Sequence, residues 1–348
     1  MRGLCASLPA ALPPGDELIV VGRKLQDSEQ CRLQSSRSSG VSPRVRRLLY
    51  EQLYVPVAAR GSDLVHLCDF RPLLLSRQPF LLTVHDVFFL DHPEWFPARI
   101  VSYRRAMLAA AVRKQPGIVV CVSTYTRDRL LDHFPQVADA RIVVIHPGIE
   151  PVERAADEYA AEEPYFLTVA TIEPRKNHLG LLEAFRNARQ SGLALRWKVA
   201  GAIGQLAEEA IGALRAEPGV ELLGHVSDDE LERLYRRAQF VATPSHAEGF
   251  GFPPLEAMAR GIPTICSTGS AFDETVGEAA LRVPPGNPRL WAEALQTLAA
   301  DTGERARLRE LGLQRARLFN LDRAARAYVD AYQEALERQP LSVVGPGD

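Results

Sequence analysis

Short apolar runs alternate with longer amphipathic stretches along this chain, and this alternation restricts the fold more than any other feature. The pattern is typical of buried parallel strands joined by crossover helices, so it predicts two α/β sheets in series. In the first half the predicted strands are Glu17–Val21, Leu64–Leu67, Phe80–Val84, Ile118–Val122 and Ile142–Ile145, and the predicted helices are Arg44–Ala59, Arg99–Arg113 and Thr124–His133. In the second half the strands are Tyr165–Val169, Arg196–Ala200, Val220–Leu223, Phe240–Ala242, Thr264–Cys266 and Ala280–Val283, and the helices are Leu179–Gln190, Gln205–Ala216, Asp228–Arg237, Pro254–Ala259 and Pro288–Ala299.

The length of 348 residues fits about two domains, and the polar, proline-bearing stretch Pro147–Tyr159 is where we place the linker. We predict a Rossmann-like domain over residues 1–155 and a second one over 156–320. A C-terminal helix over 321–338 is expected to pack back toward the first domain, with a tail over 339–348. Ligands of open α/β sheets bind at the carboxyl ends of strands, which places the ligand in the cleft between the domains.

The bulk composition excludes several classes of protein. A formal net charge of -2 argues against a general nucleic-acid binder. Five scattered cysteines indicate buried free thiols in a reducing compartment rather than a disulfide frame. No apolar run approaches the roughly 20 residues that span a bilayer, and prolines interrupt the start of the chain. We therefore expect a cytoplasmic protein.

The segment His246–Thr264 carries the chemistry. It holds two carboxylates, Glu248 and Glu256, with seven residues between them. Glu248 lies in a glycine-rich turn, and Glu256 lies in the helix that follows this turn. The amides and the dipole at a helix N-terminus favour an anion such as a phosphate. A phosphate site flanked by two carboxylates suits a nucleotide sugar.

These residues resemble a known family. Glu248–Met258 resembles the E-x7-E signature of the family-4 retaining glycosyltransferases, whose GT-B fold sets two Rossmann-like domains across a cleft. Three further segments agree in order: Thr168–Phe185 resembles the first strand, loop and helix of the donor domain in the mannosyltransferase-like branch, Leu223–Tyr235 resembles the segment beside the nucleotide base, and Thr83–Glu94 resembles the acceptor-domain loop with the active-site histidine. Family members open with a strand and a glycine loop ahead of the strand that Glu17–Val21 represents. The resemblance thus implies that this first βα unit is missing.

The resemblance also assigns roles to single residues. It implies that Glu248 and His85 are catalytic, with Glu248 binding the sugar hydroxyls and His85 contacting the donor sugar near the reaction centre. It implies that Glu256 accepts hydrogen bonds from the ribose. The donor would also contact the turn formed by Gly249, Phe250 and Gly251.

Other residues are predicted from their own chemistry. Arg175 and Lys176 follow a donor-domain strand, where two cations can neutralise a diphosphate and stabilise the leaving group. Asp86 either orients the acceptor, acts as its base, or caps the next segment. The histidines and carboxylates show no metal-ligand spacing, so we predict no metal ion and no cofactor.

The sequence therefore predicts a metal-independent retaining hexosyltransferase with a nucleotide-sugar donor and a glycan or lipid-linked acceptor, in surface polysaccharide biosynthesis. GDP-mannose is the preferred donor, and UDP- and dTDP-sugars stay open. A cluster of basic residues in the first domain indicates either a peripheral membrane contact or a solvated face: Arg44, Arg46, Arg47, Arg104, Arg105, Arg113 and Lys114. The alternatives are a nucleotide-sugar epimerase, a sugar phosphorylase, or an inactive nucleotide-sugar-binding remnant.

Overall fold

The computed structural model describes residues 2–17, 55–73, 76, 78–139, 141–150, 152 and 163–337. The predicted strand Glu17–Val21 therefore lies outside the described residues apart from its first residue. Residues 44–54 of the predicted helix Arg44–Ala59, most of the predicted linker and the tail also lie outside the described residues.

The first sheet has four described parallel strands in the order β1-β2-β3-β4. They are β1 (Val65–Leu67), β2 (Phe80–Val84), β3 (Ile118–Cys121) and β4 (Arg141–Val144). Every residue of β2 and β3 is buried, as expected for central strands that are covered on both faces. The described helices of this half are α1 (Arg2–Ala11), α2 (Val55–Ala58), α3 (Phe88–Asp91), α4 (Ala98–Arg113) and α5 (Thr124–His133).

The second sheet has six parallel strands in the order β10-β9-β8-β5-β6-β7. They are β5 (Tyr165–Val169), β6 (Arg196–Ala200), β7 (Val220–Gly224), β8 (Val241–Thr243), β9 (Thr264–Ser267) and β10 (Leu281–Val283). The strand order reverses at β5, which pairs with both β6 and β8. Crevices for ligands form at such a switch point, outside the carboxyl ends of the strands.

The helices of this half are α6 (His178–Gln190), α7 (Glu208–Arg215), α8 (Asp228–Arg237), α9 (Phe252–Ala259), α10 (Phe272–Thr275), α11 (Pro288–Ala300) and α12 (Thr302–Ala316). The prediction omitted α12. It also omitted α1, where only a proline-interrupted start was noted, although Pro9 lies inside the helix.

The final helix, α13 (Leu321–Glu337), leaves the second sheet and packs on the first. Its buried face meets Leu81, Ile118 and Val120 of β2 and β3 and also contacts α1. Next to this crossing, the amide of Ile149 donates to the carbonyl of Phe319 at 2.8 Å. The chain thus passes between the two sheets at two adjacent points.

Cys121 and Cys266 are buried free thiols, but Cys68 is exposed, so the prediction of buried cysteines is wrong for Cys68. None of the described helices has the length and apolar character needed to cross a membrane.

Candidate active site

The glycine turn brings the two halves of the site into contact. Gly251 has a φ of 100° and begins α9, where a side chain would also collide with the Phe272 ring. A Cβ on Gly249 would lie 2.0 Å from the carbonyl oxygen of His85. The turn after β8 therefore packs directly on the end of β2, and only glycine permits this approach.

Glu248 sits in this turn and binds both predicted cations. Its Oε1 lies 2.5 Å from Lys176 Nζ, and its Oε2 lies 2.8 Å from Arg175 Nη1. The Ser245 hydroxyl donates a further hydrogen bond to Oε1 at 2.7 Å. Burial alone would raise the pKa of Glu248, but Lys176 and Arg175 outweigh it and hold the pKa at about 2. The carboxylate is therefore ionised at neutral pH although the residue is only 7% exposed.

Asn177 shapes the loop that carries the two cations, and sequence reasoning missed it. It adopts a left-handed φ of 53°, and its side-chain oxygen accepts from the amide of Gly180 at the start of α6. Its side-chain nitrogen donates to the carbonyls of Pro244 and Pro285, at 3.1 and 2.9 Å. An asparagine that follows Arg-Lys ahead of an amphipathic helix was the available signal.

His85 and Asp86 follow β2 at the same edge. His85 Nε2 lies 3.0 Å from the carbonyl oxygen of Cys68. Asp86 accepts a hydrogen bond from the amide of Phe88 at 3.3 Å, the local capping contact foreseen as one of its roles. Burial raises the pKa of Asp86, although Arg175 and Arg104 oppose this shift. Arg175 thus faces carboxylates from both domains, and its guanidinium lies 5.2 Å from the centre of the Phe88 ring.

Glu256 lies apart from the Glu248 cluster, in the wall of a cavity of about 480 Å³ between the domains. The same cavity is lined by His85, Phe252 and Arg260, and by Tyr328 of α13. Glu256 Oε2 accepts a hydrogen bond from the buried Tyr235 hydroxyl at 3.0 Å. The structure thus groups the predicted site residues into a cationic cluster at Glu248 and a cavity at Glu256, with His85 at both.

Glu274, which was not predicted, joins the two domains. Its carboxylate accepts from the amides of Thr124 and Tyr125 at the N-terminus of α5, at 3.0 and 3.2 Å. His146 Nε2 lies 3.5 Å away, which is an electrostatic contact rather than a hydrogen bond. Burial alone would raise the pKa of Glu274, but His146 and the two amides hold it at about 2.

Two more contacts cross the same interface. The Thr126 hydroxyl lies 3.3 Å from the carbonyl oxygens of both His85 and Gly249. The Trp95 ring is stacked between His92 and His246, with ring centres 3.9 and 5.8 Å apart. One member of the predicted basic cluster is partly buried, because the Arg104 guanidinium lies over the rings of Phe70, Phe89 and Phe96.

In the described part of the chain, no three His, Cys, Asp or Glu side chains are grouped so that they could hold a metal ion. The prediction of a metal-independent site stays a prediction. Arg175 and Lys176 supply positive charge at the Glu248 turn, and Gly251 and Phe252 supply backbone amides at the start of α9, where Pro253 and Pro254 have none. Such an arrangement is able to bind an anionic, hydroxyl-bearing ligand.

Two family models match successive parts of the chain. The model described as Glycosyltransferase Family 4 matches residues 14–153, and the model described as Glycosyl transferases group 1 matches residues 150–315. O-antigen chain mannosyltransferase B from Escherichia coli is 29% identical over 266 residues, which cover 72% of this chain and 69% of that protein. The chain spans 49% of the length of a D-inositol 3-phosphate glycosyltransferase from Nocardioides and 62% of the length of the O-antigen chain mannosyltransferase RfbU from Salmonella typhimurium.

Solved structures match the whole architecture. Sucrose-phosphate synthase from Thermosynechococcus elongatus superposes with a TM-score of 0.76 at 21% identity, covering 97% of this chain and 93% of that one. Anabaena HepE in complex with UDP and glucose superposes with a TM-score of 0.67 at 18% identity, covering 87% and 86%. These likenesses establish the GT-B fold. The fold, the two family models and the relatives together support a glycosyltransferase of the family-4 type.

Proposed function

We propose that this protein is a metal-independent retaining hexosyltransferase. It transfers mannose from GDP-mannose to a hydroxyl of a glycan or lipid-linked oligosaccharide in surface polysaccharide biosynthesis. The observation that carries the proposal is the convergence of Arg175 and Lys176 on the buried Glu248 beside the start of α9. The mannosyltransferase relative from Escherichia coli favours mannose as the sugar.

Within the described residues, Lys176 and Arg175 keep N–H donors that are not used in hydrogen bonds and are available to a diphosphate. Lys176 has three N–H donors and uses one toward Glu248. Arg175 has five and uses three toward Ala247, Glu248 and Glu173. In our proposal, the remaining donors bind the diphosphate and stabilise the charge that grows on it as the glycosidic bond breaks.

Glu248 and His85 act at the sugar in this proposal. The ionised Glu248 accepts hydrogen bonds from the hexose hydroxyls and stabilises positive charge at the anomeric carbon. The backbone of Gly249, Phe250 and Gly251 faces the sugar or the distal phosphate. Asp86 orients the acceptor hydroxyl. The acceptor oxygen bonds to the anomeric carbon on the face from which the donor phosphate departs, and the departing phosphate takes the acceptor proton, so the anomeric configuration is retained.

A peripheral membrane contact is part of the proposal. Arg105 and Arg113 are exposed on α4, and the side chain of Tyr103 on the same helix is exposed as well. Exposed arginines on a helix can bind an anionic lipid surface and so bring a lipid-linked acceptor to the cleft.

The first test is a thermal-shift and turnover screen with GDP-mannose, UDP-glucose and a dTDP-sugar, each with and without EDTA. A ligand that binds the native state raises the melting temperature by mass action. We expect GDP-mannose to give the largest shift, insensitive to EDTA and lost in Lys176→Ala. Lys198→Ala is the matched control, because it removes another Lys–Glu pair of the same domain, at 3.3 Å.

Product analysis then separates the alternatives. NMR can follow the transfer of sugar to an added glycan. Transfer with retained anomeric configuration supports the proposal. Conversion of the nucleotide sugar without an acceptor would indicate an epimerase, and a requirement for free phosphate would indicate a phosphorylase. A chain that binds no nucleotide sugar would contradict the proposed donor site.

A further inference from the structure

Tyr235 is buried beneath the cavity, and its hydroxyl donates a hydrogen bond to Glu256. The side chain is 0% exposed and belongs to the core between β5, β8 and α8. Its Oη lies 3.0 Å from Glu256 Oε2, and the alternative acceptor, the carbonyl oxygen of Pro253, is 3.5 Å away. A phenol has one proton to donate, so the shorter contact to the charged oxygen takes it.

The surroundings keep this hydroxyl a donor. Burial and the neighbouring Glu256 carboxylate raise the pKa of Tyr235 well above its ordinary value. The Arg260 guanidinium covers the tyrosine ring at 4.7 Å and also donates to the backbone carbonyl of Glu256 at 2.8 Å. Arg260 is itself fixed by an ion pair with Glu232, at 2.7 Å. Arg260 thus contacts both Tyr235 and Glu256 and fixes their relative positions.

This contact gives the two oxygens of the Glu256 carboxylate different surroundings. Oε2 is occupied by Tyr235, while Oε1 has no hydrogen-bond partner among the described residues, and Glu256 lines the cavity. A carboxylate that is anchored through one oxygen presents the other in a fixed orientation, and a preorganised acceptor binds a hydroxyl with less loss of entropy.

We propose that Tyr235 is a positioning residue for donor recognition: it anchors Glu256 Oε2 so that Oε1 is aimed at the ribose hydroxyls of the nucleotide. The inference rests on the proposed function, because it takes the cavity as the nucleoside end of the donor site. It adds a residue that is 21 positions away from Glu256 and is not among the residues that line the cavity.

The test measures affinities of the full chain by calorimetry for GDP and UDP and for their 2′-deoxy and 3′-deoxy analogues. In the unchanged chain, removing the recognised hydroxyl should weaken binding about tenfold. Tyr235→Phe keeps the ring under Arg260 and deletes only the hydroxyl. We expect it to weaken binding of the ribonucleotide several-fold and to bring the ribo-to-deoxy ratio close to one. In a Glu256→Ala background, the same substitution should change neither value.

Tyr165→Phe is the matched control. Its hydroxyl is also buried in this core, where it donates to the carbonyl of Leu234 at 2.8 Å, away from Glu256. Both variants lose a buried hydrogen bond and should melt earlier, but only Tyr235→Phe should lose discrimination between ribose and deoxyribose. If Tyr235→Phe does not fold, Glu256→Asp takes its place, since the shortened carboxylate stays charged but no longer reaches Tyr235.

The outcomes separate the inference from the function on which it rests. An unaltered ribo-to-deoxy ratio in Tyr235→Phe, or in Glu256→Asp where that replaces it, would overturn the positioning role and leave the donor site intact. Failure of the unchanged chain to bind either nucleotide would overturn the proposed function, and the inference with it.

Discussion

At the scale of single residues, Glu248 has two opposing effects on the binding of a nucleotide-sugar donor. It holds Arg175 and Lys176 in place, but its negative charge also neutralises the two cations that a diphosphate needs. The balance between the two effects can be measured, because a glutamine at this position keeps the shape of the side chain and removes the charge.

We expect Glu248→Gln to lower the rate of sugar transfer by about 100-fold, the usual scale for losing one stabilising group at a reacting centre. Affinity for a nucleoside diphosphate without sugar should rise, because the cations lose a competing anion. Single-turnover kinetics and calorimetry measure the two effects separately. Glu173→Gln is the control: it removes a carboxylate from Arg175, at 2.9 Å, but leaves Lys176 paired. Parallel loss of affinity and transfer in Glu248→Gln would mean that Glu248 only holds the cations.

Residues that belong to a recognisable local pattern were singled out from the sequence, and residues outside such a pattern were not, although both kinds have partners that are distant along the chain. The glycine turn and the carboxylate spacing pointed to Glu248 and Glu256, and a strand end pointed to Lys176. Asn177 reaches a carbonyl 67 positions away, and Glu274 reaches an amide 150 positions away. No local pattern encodes such contacts, because they exist only once the sheets have formed.

At the scale of elements, helix α5 is completed by the other domain. Ser123 caps the amide of Thr126 at 3.0 Å, and the amides of Thr124 and Tyr125 are satisfied by Glu274. Carboxylates at a helix N-terminus stabilise it through the free amides and the dipole. The contact therefore couples the stability of α5 to the docking of the two domains.

Glu274→Gln should cost about 1–2 kcal/mol of unfolding free energy at neutral pH, from the weakened charge-assisted hydrogen bonds. Because the folded-state pKa is lowered from 4.5 to about 2, the carboxylate's contribution is complete above pH 4.5 and is lost as the pH falls toward 2. Urea unfolding across this range should show the variant and the unchanged chain converging in acid. Glu278→Gln, one turn further on and exposed, should show no such difference. A constant gap at every pH would contradict the assignment.

The elements themselves were largely predictable where short strands are rich in β-branched and aromatic residues. Phe80–Val84, Tyr165–Val169 and Arg196–Ala200 were predicted with the observed bounds. Helix α12 was missed because its buried face is made of Leu308, Gly312 and Ala316, and two of these are too small to produce a visible apolar period. The small residue is used for close packing, since a Cβ on Gly312 would lie 3.1 Å from Met258.

At the scale of the whole molecule, α13 covers the first sheet although it follows the second in sequence. Ala325 is 0% exposed in this contact, and the Tyr332 hydroxyl lies 2.8 Å from Nδ1 of the half-buried His66 ring. Burial lowers the pKa of His66 to about 3, and nearby His85 adds to this shift, so the ring is neutral in the folded protein. The first domain thus depends on the end of the chain for its core.

Ala325→Glu should place a charge in this core and lower stability by about 3 kcal/mol. Because the change lies in the first-sheet core, hydrogen exchange should show lost protection in β2 and β3, while β5 and β6 keep theirs. Arg326→Glu, exposed on the same helix, should alter neither sheet. Uniform loss of protection in both sheets would show that the two domains unfold as one unit.

The bridge between Ile149 and Asn320 has a consequence for how this architecture can be altered. The chain leaves the first domain after Ile149 and returns to it at Asn320, and these two positions pair with each other. In topological terms the second domain is therefore an insertion whose two ends lie side by side. A unit attached in this way can be exchanged between related chains as a single cassette, because both junctions lie at one place on the host.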